Sequence, residues 1–225
     1  MFYPHTLPNF QVTRYIQLRI HEPATSCSIQ FIIQMTFPPP EITDIVSEIA
    51  SILRSKNQTL AISEAACGGL ISAYIVSVPG ASDFYIGGKL LYSLKQRLKL
   101  SGWSDEEISN YMGPSEQVAL KLARTARYEL GSTYVLSETG FAGPSTDLHL
   151  SNKRKEGTSS TDDAKKSNSD DYSTVAPNVG TVFLGFTGPT GDFSTEKEFG
   201  NQDRSKNMTD FAKFALEFLL EQLRK

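Results

Sequence analysis

Apolar residues first fall into a regular pattern after Pro38-Pro39-Pro40. Ile42, Ile45, Val46, Ile49, Ile52 and Leu53 recur at helical spacing and predict an amphipathic helix that ends near Asn57. Thr59–Ser63 is a short apolar run and predicts a buried strand. Gly68-Gly69 then opens a predicted helix over Leu70–Val78. A second strand is expected over Lys89–Ser93, after a turn at Gly87-Gly88. Ser104 and Glu107 make a capping-box pattern for a short helix. Val118, Leu122, Ala126 and Leu130 mark a longer one. Thr133–Ser137 reads as a strand, with Gly140, Gly143 and Pro144 in the loop behind it. Thr181–Thr187 and Phe193–Phe199 read as strands joined through Pro189-Thr190-Gly191. Met208, Phe211, Ala212, Ala215, Phe218 and Leu219 share one face of a last helix. This mixture predicts an α/β sheet covered by helices.

Two segments fall outside the pattern. Residues 1–36 have no acid before Glu22 and are broken by Pro4, Pro8 and Pro23. They read as an N-terminal extension without strong order, with Met35 a candidate start, rather than as a targeting presequence. The stretch from Ser151 to Ala176 is rich in Ser, Thr, Lys and Asp and nearly lacks apolar residues. Such a composition buries too little surface to offset ordering entropy, so a disordered insert is expected within a domain spanning 37–225.

Composition narrows the chemistry. The 225 residues carry a net charge of −3, which argues against a basic nucleic-acid-binding surface. No apolar run has the length of a membrane span. Two cysteines support neither a disulfide framework nor a Cys-rich zinc site, and the default setting is reduced and cytoplasmic. The three histidines, His5, His21 and His149, lie away from the glycine loops, so a histidine-dependent triad or a metal centre is not expected. Three glycine-bearing loops remain: Glu64–Gly69, Pro79–Gly88 and Thr139–Pro144. Glycine lets a backbone approach a ligand closely. None of the loops is a phosphate-binding P-loop or a complete dinucleotide fingerprint.

Taken in order, these loops carry a resemblance. The run LAISEAACGGLISAYIVSVPGASDFYIGGKLLYS, then ETGFAGP, VGTVFLGF and FGNQDR before a terminal helix, resembles the CinA C-terminal domain family over about residues 41–144 and 178–223. The resemblance implies a three-layer α/β/α sandwich with a mixed sheet, and a homo-oligomer. It also implies kinship with nicotinamide mononucleotide deamidases, which hydrolyse a carboxamide through a Ser/Lys pair without metal or cofactor. Backbone N–H groups of the first glycine loop are expected to hold the oxyanion. The family's serine maps onto Ala65 and its lysine onto Arg97, whose guanidinium keeps its proton. Both members of the implied dyad are therefore replaced. The reading is a catalytically degenerate relative that keeps a pocket for a pyridine nucleotide or related small molecule. Candidate ligand-binding residues carried over from the family are Glu64, Gly68, Gly69, Tyr92, Ser93, Thr139, Gly140, Gly143 and Arg204. The alternatives are an active amidohydrolase with Cys67 as a displaced nucleophile, and a non-catalytic oligomer or interaction module. Lys95 and Lys99, as substitute bases, read instead as surface residues, and Ser63 and Ser82 are weaker nucleophile candidates.

Overall fold

The computed structural model describes residues 36–148 and 178–225. The extension up to Met35, the insert 151–176 and all three histidines lie outside the described residues. Strands β1 (Leu60–Glu64), β2 (Tyr85–Leu90), β3 (Tyr134–Phe141), β4 (Thr181–Gly188) and β5 (Gly191–Glu198) form one sheet in the order β2-β1-β3-β4-β5. β1 is parallel to β2 and β3, while β4 is antiparallel to β3 and β5, so the sheet is mixed.

Helices α1 (Pro40–Ser55), α2 (Leu70–Val76) and α6 (Arg204–Arg224) cover one face. α5 (Glu116–Leu130) lies across the other, after the short helices α3 (Leu94–Lys99) and α4 (Asp105–Ser109). The two faces differ in side-chain size. Ile62, Leu136, Leu184 and Phe186 join residues of α1, α2 and α6 in the main core. Ala61 and Val135 meet Ala123 and Ala126 of α5 in a smaller one. α5 comes in close because Gly185 has no side chain: a Cβ there would lie 2.5 Å from the Ala119 carbonyl carbon. Ser137 Oγ donates to the Ala119 carbonyl at 2.6 Å and fastens the same contact.

Local chemistry sets the element ends. Asn57 stops α1 in a left-handed conformation, φ 51°. Ser104 and Glu107 form the expected reciprocal capping box on α4. Gly188 pairs with Gly191 across the two-residue turn Pro189-Thr190. Three expectations need correction. Gly87 and Gly88 do not precede a strand but lie inside β2, where Gly88 passes so close to β1 that a Cβ would clash with the Ile62 carbonyl oxygen. That shifts the strand back and leaves Tyr92 and Ser93 in the connection to α3. Gly140 lies in β3 rather than in a loop, for the same reason of close approach: a Cβ there would clash with the Thr181 carbonyl oxygen of β4. The helix after Gly69 ends at Val76.

Candidate functional site

The carboxyl end of β1, the loop 65–69, the start of α3, the end of β3 and the first turns of α6 meet at one edge of the sheet. Glu64 closes β1 and is 1% exposed. Its Oε1 accepts the N–H groups of Gly69 and Ile71, each at 2.9 Å, and its Oε2 accepts the N–H and hydroxyl of Ser72. This carboxylate therefore satisfies the amides at the start of α2, for which the residue at the N-cap, Gly69, has no side chain to offer. Its chemistry is spent inside the fold.

The next residues of the loop are tied to a group that sequence reasoning missed. Glu138 of β3 is fully buried, and its Oε2 accepts the N–H groups of Ala65 and Cys67, both at 3.1 Å. Gly68 N–H bonds the Ala65 carbonyl. Thus the N–H groups of Ala65, Cys67, Gly68 and Gly69 all have partners within the chain. This corrects the expectation of a ligand oxyanion for the Ala65, Cys67 and Gly69 N–H groups, which two side chains of the protein already hold; the Ala66 N–H is not among them. The available signal for Glu138 was an acid placed in a strand whose neighbours, Leu136 and Leu184, are apolar.

Arg97 projects inward from α3 and is 3% exposed, whereas Lys95 and Lys99 are exposed on the outer face of the same helix. Its Nη2 donates to the main-chain carbonyl of Glu138, and its Nε is enclosed without a partner, as is Glu138 Oε1. Burial lowers the proton affinity of Arg97, against the pull of the Glu138 charge. Burial raises that of Glu138, against Arg97 and the two loop amides. Tyr111, whose hydroxyl is also enclosed and unpartnered, is pushed up to about 12 by burial, with Arg97 acting the other way.

Cys67 is fully buried and its thiol donates to the Met208 carbonyl of α6 at 3.6 Å. Burial first, and then the nearby Glu138 and Glu64, push it well above the ordinary thiol range. Ser63 is 2% exposed on β1, and Ser82 lies exposed in a short 3-10 turn away from this edge.

Of the remaining predicted residues, Gly68, Tyr92, Ser93 and Arg204 lie on the outer side, whereas Thr139 and Gly143 are buried. Tyr92, 68% exposed, and Ser93 stand in the β2–α3 connection, and Gly68 is exposed at the loop tip. Arg204, at the start of α6, donates to the Gly143 carbonyl at 2.6 Å and to the Tyr92 hydroxyl at 2.8 Å. It bridges two of the loops. Asn207, one turn on and fully buried, donates to the carbonyls of Ala142 and Asn201. Thr139 is 5% exposed in β3 and pairs with Phe183 of β4. Gly140 is held there by close packing on β4. A cavity of about 480 Å³ lies between β5 and the end of α6, and one of about 450 Å³ beside Trp103 and Tyr111. Among the described residues no group of three or more His, Cys, Asp or Glu side chains could hold a metal ion, and no helix is long and apolar enough to cross a membrane.

Comparison with known proteins agrees with this architecture. The family model of the CinA C-terminal domain matches residues 42–161. A CinA-like protein of Synechococcus elongatus is 30% identical over 156 residues, which are 69% of this chain and 31% of that protein. One of Desulfosudis oleivorans is 29% identical over 177 residues, covering 79% of this chain and 37% of that protein. The chain thus spans about a third of the length of these curated relatives. The crystal structure of the competence/damage inducible protein CihA from Agrobacterium tumefaciens superposes with a TM-score of 0.66 at 22% identity, over 85% of this chain and 100% of that one. At that identity the likeness concerns the fold.

Proposed function

Since the chain belongs to the CinA C-terminal domain family, we propose that it is a catalytically degenerate member, which no longer hydrolyses an amide and keeps the rim of a nucleotide-type ligand site. Hydrolysis of a carboxamide by a Ser/Lys pair needs a side-chain oxygen to attack and a neutral amine to take its proton. Ala65 ends in a methyl group. The single observation that carries the reading is the place of Arg97: buried, bonded to the Glu138 carbonyl, and charged, in the position the family resemblance gives to the base.

No neighbouring group replaces the pair. Cys67 is enclosed and its thiolate is disfavoured, which opposes a displaced nucleophile. Lys95 and Lys99 lie on the exposed side of α3. The binding half of the proposal rests on the rim: Gly68, Tyr92 and Ser93 are accessible, and the Arg204 guanidinium stands between Gly143 and Tyr92 as a candidate partner for a phosphate. The ligand class is a pyridine nucleotide, and no metal or cofactor enters the scheme.

Thermal unfolding across a titration of nicotinamide mononucleotide tests it. A saturable rise in Tm, lost in Arg204→Ala and unaccompanied by ammonia, is the expected result. No shift at any concentration would overturn the binding half and leave a structural or interaction module.

A further inference from the structure

We propose that the Glu138 carboxylate is a built-in occupant of an anion hole made by the N–H groups of Ala65 and Cys67 and the Arg97 guanidinium, and that it closes this hole to outside anions. Such anions include the oxyanion of amide hydrolysis, and that last clause rests on the reading above.

A carboxylate in a sheet interior costs several kcal/mol unless donors surround it. Glu138 stands among Leu136 and Leu184 at a position that would otherwise be apolar, so its donors account for its presence. Two amides converge on one oxygen at 3.1 Å, and a buried guanidinium is bonded to the main chain of the same residue. Arg97 Nε and Glu138 Oε1 are both enclosed, opposite in sign and each without a hydrogen-bond partner. These donors would serve an external anion equally well. The two amides belong to the loop that carries Ala65, where attack on a carbonyl would be centred. Of the other amides nearby, Gly68 N–H is on the Ala65 carbonyl and Gly69, Ile71 and Ser72 are held by Glu64, so in the loop 65–69 the Ala66 N–H alone is not engaged in this way. An oxyanion drawing on the Ala65 and Cys67 amides would have to displace Glu138 first. Restoring serine and lysine would therefore leave the hole filled.

The probe is formate, a carboxylate small enough for the space left by Glu138→Ala. That variant should lose thermal stability at neutral pH. Formate, compared with chloride at equal ionic strength, should return at least half of the lost Tm in a saturable way. Wild type and Glu138→Gln, in which the space stays filled, should show no formate-specific shift. Adding Arg97→Met to Glu138→Ala should abolish the rescue. Equal shifts in all proteins, or none in Glu138→Ala, would overturn the proposal. If Glu138→Ala is recovered only unfolded, refolding from denaturant is the readout. Folded protein recovered in formate above the chloride yield supports the hole, and equal recovery in both overturns it. Because stability and not turnover is read, the result is independent of whether the domain hydrolyses an amide.

Discussion

Arg97 donates to the main-chain carbonyl of Glu138, while the side chain of the same glutamate accepts the N–H groups of Ala65 and Cys67. One buried residue thus ties α3 to the first glycine loop. The two positions to which the family resemblance assigns base and nucleophile are joined by a structural bridge.

Removing one side of this bridge leaves a buried charge. Arg97→Met removes a charged donor from the buried Glu138 carbonyl and should destabilise the domain by roughly 1.5–3 kcal/mol, the range for a hydrogen bond to a charged group. Glu138→Gln keeps an acceptor for the loop amides and should cost less. In a double-mutant cycle by urea unfolding, the two changes together should cost less than their sum, with a coupling of about 1–3 kcal/mol. Strict additivity would show that the two groups do not sense each other.

Glu64 caps the start of α2 with both oxygens. Glu64→Gln retains one acceptor and should lose roughly 1.5–3 kcal/mol, the net value of a hydrogen bond to a charged group. Amide exchange at Gly69, Ile71 and Ser72 should quicken more than exchange in α5. Uniform acceleration across both helices would contradict a local capping role.

Cys67 carries a pH signature. Its proton is held more tightly in the native state than in the unfolded chain, because burial and the nearby Glu138 and Glu64 disfavour the thiolate. The native state therefore binds more protons above the ordinary thiol pKa, and stability must fall as pH rises through about 8.5 and beyond. Cys67→Ala should flatten that decline in urea midpoints, and the native thiol should resist alkylation in a background carrying Cys27→Ser. Rapid alkylation of the folded protein would contradict the burial.

Much of the scaffold was legible because single-residue signals coincided with periodicity. The stripe from Ile42 to Leu53, the Ser104–Glu107 box and the apolar face from Met208 to Leu219 each named an element that folds as expected. The mixed α/β sheet followed. What stayed hidden depends on contacts between distant segments. Gly88 and Gly140 look like turn residues in the sequence, yet they sit in strands because Ile62 and Thr181 carbonyls approach from the neighbouring strand. Glu138 opens the run ETGFAGP without being marked as a site residue there, and its role arises only when β3 is laid beside the loop 65–69. Arg97 and Ala65 were identified through the family resemblance, but the bridge that joins them could not be read from spacing. Glu64 and the loop amides looked like ligand contacts because the sequence cannot tell which polar groups the fold has already paired.

The most direct test of the central claim is ammonia release from nicotinamide mononucleotide by the purified protein, alongside an Arg97→Met preparation made identically to report contaminating enzyme. The account predicts that the two are indistinguishable from buffer. Turnover by the unaltered protein that is absent from the Arg97→Met preparation would contradict it and place the chain among active amidohydrolases.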